Sequence, residues 1–110
     1  MIHITQLVYI KPGQEATFDQ FESVAIPIIA KYNGKFLLRV RPSAESVIEA
    51  AMEKPYEIHL TEFASDADFQ NFMKDEERKK FLHLKEISVE SSILYVGTKY
   101  DPFMQGRANT

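Results

Sequence analysis

The amino-acid sequence predicts a single α+β domain in which four antiparallel strands form one sheet and two helices cover one of its faces. The prediction uses four segments rich in β-branched and aromatic residues, two segments with helical spacing of apolar residues, and their order along the chain. That order is strand, helix, strand, strand, helix, strand. At 110 residues the chain has the usual length of one domain. We assign residues 1–99 to this domain and residues 100–110 to a C-terminal tail.

The first strand is predicted over residues 2–10, IHITQLVYI, because Ile, Val and Tyr dominate and the turn signal KPG follows. The first helix covers residues 14–32, where apolar residues recur at spacings of three and four: Phe18, Phe21, Val24, Ala25, Ile28 and Ile29. Pro27 lies inside this helix, so it removes a backbone hydrogen bond and bends the axis. Asn33 and Gly34 then end the helix, because both residue types readily adopt the left-handed conformation.

The second strand, KFLLRVR over residues 35–41, places Arg39 and Arg41 on the same side if its side chains alternate strictly. Residues 42–54 are longer than a hairpin loop and are predicted to hold a short helical turn. The third strand, YEIHLTEF, follows over residues 56–63.

A second helix is predicted over residues 65–82, in one or two pieces. Ser65 is its cap, Asp68 occupies the matching capping-box position, and the apolar stripe that follows is Phe69, Phe72 and Met73. The basic segment ERKKF, residues 77–81, has acidic neighbours and is typical of a solvated helix face. The fourth strand, SSILYVGTK, covers residues 91–99.

With right-handed crossovers, this order folds most simply into a ferredoxin-like sheet in the spatial order 4-1-3-2, with both helices on one face. Even-numbered strand residues are nearly all apolar and are predicted to face the helices, with Gln6 as the exception: Ile2, Ile4, Val8, Phe36, Leu38, Val40, Tyr56, Ile58 and Leu60. Odd-numbered residues then share the uncovered face: His3, Thr5, Leu7, Tyr9, Leu37, Arg39, Arg41, Glu57, His59, Thr61 and Phe63. Because this mixture is too apolar to be fully hydrated, we expect a second copy of the chain to cover it.

Three segments carry a resemblance to a known superfamily: YNGKFLLR at 32–39, EIHLTEFAS at 57–65 and DEERKKFLHLKEISVESSILYVG at 75–97. Together with the order of elements, they resemble small proteins of the dimeric α+β barrel superfamily. The nearest pattern belongs to an uncharacterised family that reads roughly Tyr-Gly-Gly-Lys-Phe-Leu-Val-Arg and then Glu-Phe-Pro-Ser. Its relatives include antibiotic biosynthesis monooxygenases, haem-degrading monooxygenases and muconolactone isomerase.

This resemblance implies a homodimer and a cofactor-independent, monooxygenase-like or isomerase-like enzyme that acts on a small aromatic or carbonyl compound in a barrel pocket. The haem-degrading members use an Asn, a Trp and a His, whereas this chain has no tryptophan, which argues against haem degradation of that type.

The candidate catalytic residues are Arg39, Glu57 and His59, which the predicted sheet brings together on neighbouring strands. His59 would remove a proton from the substrate while Arg39 stabilises the resulting oxyanion or enolate. The alternative is that Arg39 and Glu57 form an ion pair that satisfies two charges between subunits.

The candidate ligand-binding residues are His3, Thr5, Tyr9, Arg41 and Thr61, whose polar groups are predicted to share the same face. A metal site built from His3, His59 and Glu57 can be drawn, but its spacing matches no standard motif, so neither a metal nor another cofactor is expected. Two further hypotheses are a non-catalytic module that binds a small molecule and a structural dimer with an ion-paired interface.

Composition excludes several other classes. The net charge is −3 and no block of Lys and Arg exists, so nucleic acid is not an expected partner. The absence of cysteine excludes disulfides, thiolate metal sites and a Cys nucleophile. Because the chain has neither a signal-peptide pattern nor an apolar run of roughly 20 residues, we expect a cytoplasmic protein that does not contact a membrane.

Overall fold

Four strands form one antiparallel sheet in the computed structural model, which describes residues 1–98. The strands are β1, Ile2–Ile10; β2, Gly34–Val40; β3, Glu57–Phe63; and β4, Val89–Gly97. Their spatial order is β2-β3-β1-β4, and every neighbouring pair is antiparallel. The predicted ferredoxin-like α+β fold and its strand order are therefore confirmed. The predicted tail, residues 100–110, lies outside the described residues.

One face of the sheet is covered by helices α1, Glu15–Ile28; α2, Asp66–Met73; α3, Glu76–Lys80; and α4, Leu82–Ser88. Pro27 lies one residue before the end of α1, where the chain continues into a 3₁₀ turn, Ile29–Tyr32. Asn33 ends that turn with φ of 56°, as its residue type predicts. The expected helical turn in the loop before β3 is a 3₁₀ turn, Ala44–Ser46. No helix within residues 1–98 is long and apolar enough to span a membrane.

The second predicted helix, residues 65–82, is two short helices, α2 and α3, because the chain carries a second cap in the middle of the segment. Helix α4 then begins at Leu82 and extends beyond the predicted helix. Ser65 Oγ accepts the backbone N–H of Asp68 at 3.1 Å and begins α2, as predicted. Asp75 Oδ1 accepts the backbone N–H of Arg78 at 2.9 Å and begins α3. The Tyr32 hydroxyl also donates to Asp75, at 2.6 Å. This bond, with the backbone N–H of Arg78 and the Lys31 ammonium group, lowers the pKa of Asp75 to about 2. The break after α2 turns Arg78 inward, so the prediction of a wholly solvated face over residues 77–81 is wrong at this residue.

A β-bulge at Leu37 shifts the register between β2 and β3. Phe36 is opposite Thr61, but Leu38 is opposite Leu60, so β2 contains one residue more than its partner. After the bulge, each β2 side chain therefore lies on the face opposite to the one that strict alternation predicts.

Beyond the bulge, Arg39 is opposite His59 on the side that faces the helices. In β3 the odd-numbered residues are buried and the even-numbered residues are partly exposed. These odd residues of β3 pair with the even residues of β1, such as Gln6 with His59. The buried side of the sheet thus carries even-numbered residues of β1 and odd-numbered residues of β3.

The prediction that all odd-numbered strand residues share the uncovered face is correct for β1 and wrong for β3 and the end of β2. On the helix side, instead of the uncovered side, are Arg39, Arg41, Glu57, His59, Thr61 and Phe63. Conversely, four residues predicted to face the helices lie on the uncovered side: Leu38, Val40, Ile58 and Leu60. Parity is preserved only within a regular strand, and both the connecting loops and the bulge reset it.

The main apolar core lies between the sheet, α1 and α2, and its members are Ile4, Ile28, Ile29, Phe63, Phe69 and Phe72. Gly34 begins β2 directly against this core. A Cβ atom added at Gly34 would lie 2.6 Å from Ile29 Cγ2 and 2.6 Å from Phe63 Cε1. A glycine is therefore required here by close packing.

Gly34→Ala should lower the free energy of unfolding by about 1–3 kcal/mol, because the added methyl group overpacks the core. Urea titration of the two proteins measures this difference. The matched control is Gly97→Ala, another strand glycine, where the nearest atom to the added Cβ is a Tyr95 ring carbon at 3.4 Å. The control should change stability by less than about 0.5 kcal/mol, and equal losses in the two variants would contradict the packing argument.

Candidate functional site

Glu57 is the centre of a charged cluster at the helix-covered side of β3. Its side chain is 0% exposed, and its Oε1 accepts hydrogen bonds from Arg39 Nε at 2.8 Å and from His59 Nε2 at 2.7 Å. Its Oε2 accepts a hydrogen bond from Arg41 Nε at 2.5 Å. Arg39 of β2, Arg41 just after that strand and His59 of β3 thus converge on one carboxylate, and the sequence predicts this convergence for Arg39, Glu57 and His59.

The second carboxylate of the cluster comes from α1. Asp19 Oδ1 accepts a hydrogen bond from Arg39 Nη2 at 3.2 Å and another from Arg41 Nη2 at 2.6 Å. Two guanidinium groups and two carboxylates therefore balance one another at the edge of the sheet. Arg39 and Glu57 do form an ion pair, but within one chain and not between subunits as the alternative states.

The charge of Glu57 follows from these bonds. Burial raises the pKa of this carboxyl group, but the hydrogen bonds from Arg39, His59 and Arg41 outweigh burial and hold the pKa below its usual value. An ionised carboxylate can only accept hydrogen bonds, so His59 must carry its proton on Nε2. His59 Nδ1 is then the unprotonated nitrogen.

His59 is only 4% exposed and lies between two aromatic side chains. Its ring centroid is 5.3 Å from that of Phe36 and 6.3 Å from that of Phe18. Burial lowers the pKa of His59, and the hydrogen bond to Glu57 only partly opposes this effect. The imidazole is therefore neutral at neutral pH.

The space between the sheet and the helices contains a cavity of about 70 Å³, which we call the interlayer cavity. Its aromatic lining consists of Phe18, Phe21, Phe36, Phe63, Phe69 and Phe72. Its polar lining consists of Gln6, Glu22, His59, Thr61, Arg78 and Lys85. The lining also includes Leu94, an exposed residue of β4, so the cavity reaches the surface at that edge of the sheet.

Glu22 lines this cavity from α1 and is 8% exposed. Its Oε2 lies 4.0 Å from His59 Nδ1, and no described residue donates a hydrogen bond to it. Burial raises the pKa of Glu22 to about 7, even though the charge of Arg39 opposes the shift. Near neutral pH the cavity therefore contains a carboxyl group that exchanges its proton and a neutral imidazole that can accept one.

Arg78 and Lys85 line the other part of the cavity. The Arg78 side chain is held between two rings, with Cζ 5.2 Å from the Phe72 centroid and 5.8 Å from the Phe21 centroid. Its Nη1 donates to the Met73 carbonyl at 3.2 Å, whereas its buried Nε has no partner among the described residues. Burial lowers the pKa of both Arg78 and Lys85.

The structure divides the predicted site residues into two groups. On the helix side, His59 and Thr61 line the cavity, while Arg39, Arg41 and Glu57 lie behind His59 and are not part of the lining. Arg39 therefore does not line the interlayer cavity, and its contact with a ligand stays a prediction.

His3, Thr5 and Tyr9 lie on the opposite face of the sheet. His3 Nε2 is 3.5 Å from Glu62 Oε1, and the Tyr9 hydroxyl donates to the Glu53 carbonyl at 2.8 Å. The prediction that these three residues join His59 in one pocket is therefore wrong. The metal site drawn from His3, His59 and Glu57 cannot form either, and residues 1–98 contain no cluster of His, Asp and Glu with the geometry of a metal site.

Four residues of the site are absent from the sequence prediction: Asp19, Glu22, Arg78 and Lys85. Glu22 had a detectable signal, because it follows Phe18 by four positions and precedes Ala25 by three, so it lies within the apolar stripe of its helix. Arg78 had a weaker signal, since only the cap at Asp75 indicates that the helix restarts and turns this side chain inward.

The fold and the cavity define the chain as a ferredoxin-like α+β domain with a polar site between its sheet and helices. It is similar to a protein of unknown function from Rhodopseudomonas palustris, with a TM-score of 0.77 and 18% identity over 92% of this chain and 83% of the other. A NIPSNAP family protein with unknown function from Agrobacterium tumefaciens has a TM-score of 0.65 and 16% identity over 93% and 92% of the two chains.

A DABB family protein with a ferredoxin-like fold from Mesorhizobium loti is also similar, with a TM-score of 0.62 and 14% identity over 91% and 97% of the two chains. At such identities these likenesses show the fold alone. No protein-family model matches the sequence, and no curated protein matches it.

Glu22→Gln should change how the free energy of unfolding depends on pH. Because the pKa of Glu22 rises from 4.5 in the unfolded chain to about 7 in the fold, the native state binds more protons between these values. The contribution of Glu22 to the free energy of unfolding is therefore complete below pH 4.5 and is lost as the pH rises to about 7. Between about pH 5 and about pH 8, wild type should lose about 2–3 kcal/mol relative to Glu22→Gln.

Chemical denaturation of both proteins at several pH values measures this difference. Glu15→Gln, which removes an exposed carboxylate from the same helix, controls for the change in net charge. Parallel curves for wild type and Glu22→Gln would contradict the assignment of a buried, titrating carboxyl group.

Proposed function

We propose that the protein is a cofactor-independent, isomerase-like enzyme that moves a proton within a small carbonyl compound held in the interlayer cavity. The observation that carries this proposal is the approach of Glu22 Oε2 to His59 Nδ1, 4.0 Å apart in the same cavity. Both residues line the cavity, so a substrate lying against them would place its carbonyl oxygen at the proton donor and the neighbouring carbon at the proton acceptor.

His59 is the general base in this proposal. Its unprotonated Nδ1 faces Glu22, and its Nε2–H donates to Glu57, whose ionised carboxylate would stabilise the imidazolium that forms. Arg39 and Arg41 act as positioning residues because they hold Glu57 in place and keep it ionised.

Glu22 is the general acid. Below about pH 7 its carboxyl group is protonated and can donate a hydrogen bond to the carbonyl oxygen of the substrate. Removal of a proton from the carbon next to that carbonyl then gives an enol. Return of the proton to a different carbon completes an isomerisation without an oxidant or a metal ion.

A monooxygenase-like reaction would share the first proton removal and then add dioxygen to the enolate. The two reactions are separated by oxygen consumption, which an isomerase lacks. A non-catalytic binding module would use the same cavity and show neither proton exchange nor oxygen uptake.

Exchange of carbon-bound hydrogen for deuterium tests the proton-transfer step directly. Acetone, hydroxyacetone and pyruvate, each incubated with the protein in D₂O and followed by NMR, offer small carbonyl groups with acidic neighbouring hydrogens. Wild type should accelerate exchange of at least one compound. His59→Gln should reduce the rate by about 100-fold or more, as expected for loss of a general base.

His83→Gln is the matched control, because His83 is an exposed histidine on α4. Its exchange rate should equal that of wild type. Binding of a carbonyl compound without exchange would favour the non-catalytic module, and equal rates in wild type and His59→Gln would remove His59 from the mechanism.

The same proposal includes a homodimer formed through the uncovered face of the sheet. Exposed apolar residues on this face are Leu38, Val40, Ile93 and Tyr95, and they adjoin the partly buried Leu7, Ile58 and Leu60. An apolar sheet face of this kind is uncommon on a monomer and pairs readily with a second copy by twofold symmetry. Besides these apolar residues, the face carries His3, Lys35 and Glu62 at the end of the sheet where β1 begins.

Ile93→Lys should weaken the dimer, because it places a charge in the middle of the uncovered face. The matched control is Ile87→Lys on α4, since Ile87 is 49% exposed and Ile93 is 48% exposed. Analytical ultracentrifugation should find a dimer for wild type and Ile87→Lys and a shift toward monomer for Ile93→Lys. A monomeric wild type, or the same shift in both variants, would contradict pairing through this face.

A further inference from the structure

Arg78 is an unusual lining residue because it is nearly enclosed and mostly unpaired. It is 6% exposed, and its one hydrogen bond as a side-chain donor among the described residues is from Nη1 to the Met73 carbonyl at 3.2 Å. A guanidinium has five N–H donors, and buried donors are normally satisfied. Its Nε is buried without a partner among residues 1–98. This geometry leaves a donor without an acceptor beside the interlayer cavity.

Lys85 provides a second cation to the same cavity from the neighbouring helix α4. No hydrogen bond or ion pair joins its ammonium group to a described residue within residues 1–98. The mutual repulsion of Arg78 and Lys85 lowers the pKa of Lys85 after the larger effect of burial. The two cations therefore lie close enough to repel each other electrostatically.

The charges around the cavity do not balance. Behind His59, two carboxylates and two guanidinium groups compensate one another. Asp75, which lies near Arg78, is compensated by Lys31 at 3.3 Å. Among residues 1–98, Glu22 opposes both Arg78 and Lys85, and Asp75 opposes Arg78 as well as Lys31. Three cations thus face two carboxylates, which leaves one positive charge uncompensated even when Glu22 is ionised.

We propose that the interlayer cavity binds a small carboxylate, with its oxygen atoms at Arg78 and Lys85. Guanidinium and ammonium groups bind carboxylates through charge-assisted hydrogen bonds, and a planar guanidinium can provide two of them to one carboxylate. The ligand accepts hydrogen bonds from the Arg78 guanidinium and neutralises the excess charge at the same time.

The volume limits the enclosed part of the ligand. An engineered apolar cavity of about 150 Å³ holds benzene, so about 70 Å³ encloses roughly three non-hydrogen atoms. One carboxylate group fits this space, and the rest of the ligand extends toward Leu94 at the open edge.

This inference deepens the proposed function by naming the substrate class as a small carboxylic acid with an activated carbon. It depends on that function only for the reacting end of the ligand, which would lie toward His59 and Glu22. The anion site itself depends on Arg78 and Lys85.

Titration of the full chain with acetate and propionate, followed by NMR at about pH 6.5, tests the anion site. Acetamide and propionamide have the same shapes without the charge and serve as matched ligands. The carboxylates should bind saturably and shift the Arg78 Nε–H resonance, whereas the amides should bind about tenfold more weakly or worse.

Lys85→Gln should weaken carboxylate binding by about tenfold. Arg78→Gln should weaken it at least as much. Because Arg78 also packs between Phe21 and Phe72, Lys85→Gln keeps the test valid if the arginine variant does not fold. Lys80→Gln removes an exposed lysine of the same region and should bind acetate as wild type does.

Equal affinity for amides and carboxylates, absence of saturable carboxylate binding, or unchanged acetate binding in folded Lys85→Gln and Arg78→Gln would overturn this proposal. The experiments distinguish failure of the carboxylate-binding proposal from failure of the enzyme proposal. Deuterium exchange of acetone without carboxylate binding removes the anion site alone. Carboxylate binding without any exchange retains the anion site and removes the enzyme.

Discussion

The arrangement of the helix-covered side depends on the complete burial of the Glu57 carboxylate. A buried charge is stable only if it is paired and hydrogen-bonded, and here Arg39, Arg41 and His59 provide those bonds. These bonds join β2 to β3 and, through Asp19, join both strands to α1. They also determine the tautomer of His59, so one electrostatic requirement connects the edge of the sheet to the chemistry of the cavity.

The two faces of the sheet depart from the simplest expectation of an apolar covered side and a polar uncovered side. The covered face adds carboxylates, guanidinium groups and an imidazole to its apolar core, while the uncovered face carries exposed apolar side chains beside His3 and Glu62. Both features have a common explanation if the chain binds a polar ligand inside and a second protein surface outside. The solved structures that it is similar to share this fold, which by itself assigns no activity.

Most of the fold was predictable, because strands and helices depend on local spacing and the strand order depends on the sequence of elements. The convergence of Arg39, Glu57 and His59 was also predictable, since neighbouring strands bring them together whichever side they occupy. The side itself was not predictable from alternation, because an inserted residue at Leu37 and the loop lengths determine it. Arg78 was misread since a basic run looks solvated until the restart of the helix at Asp75 is recognised.

The bulge at Leu37 has an evolutionary consequence. Insertion or deletion of a single codon in this edge strand would exchange its charged and aliphatic surfaces without altering any other residue. Two proteins with the same hydrophobic pattern but one residue more or less at this position would therefore place their ligand chamber and their association surface on opposite sides. A sequence alignment that places a gap here would therefore align arginines that lie on opposite faces of the sheet.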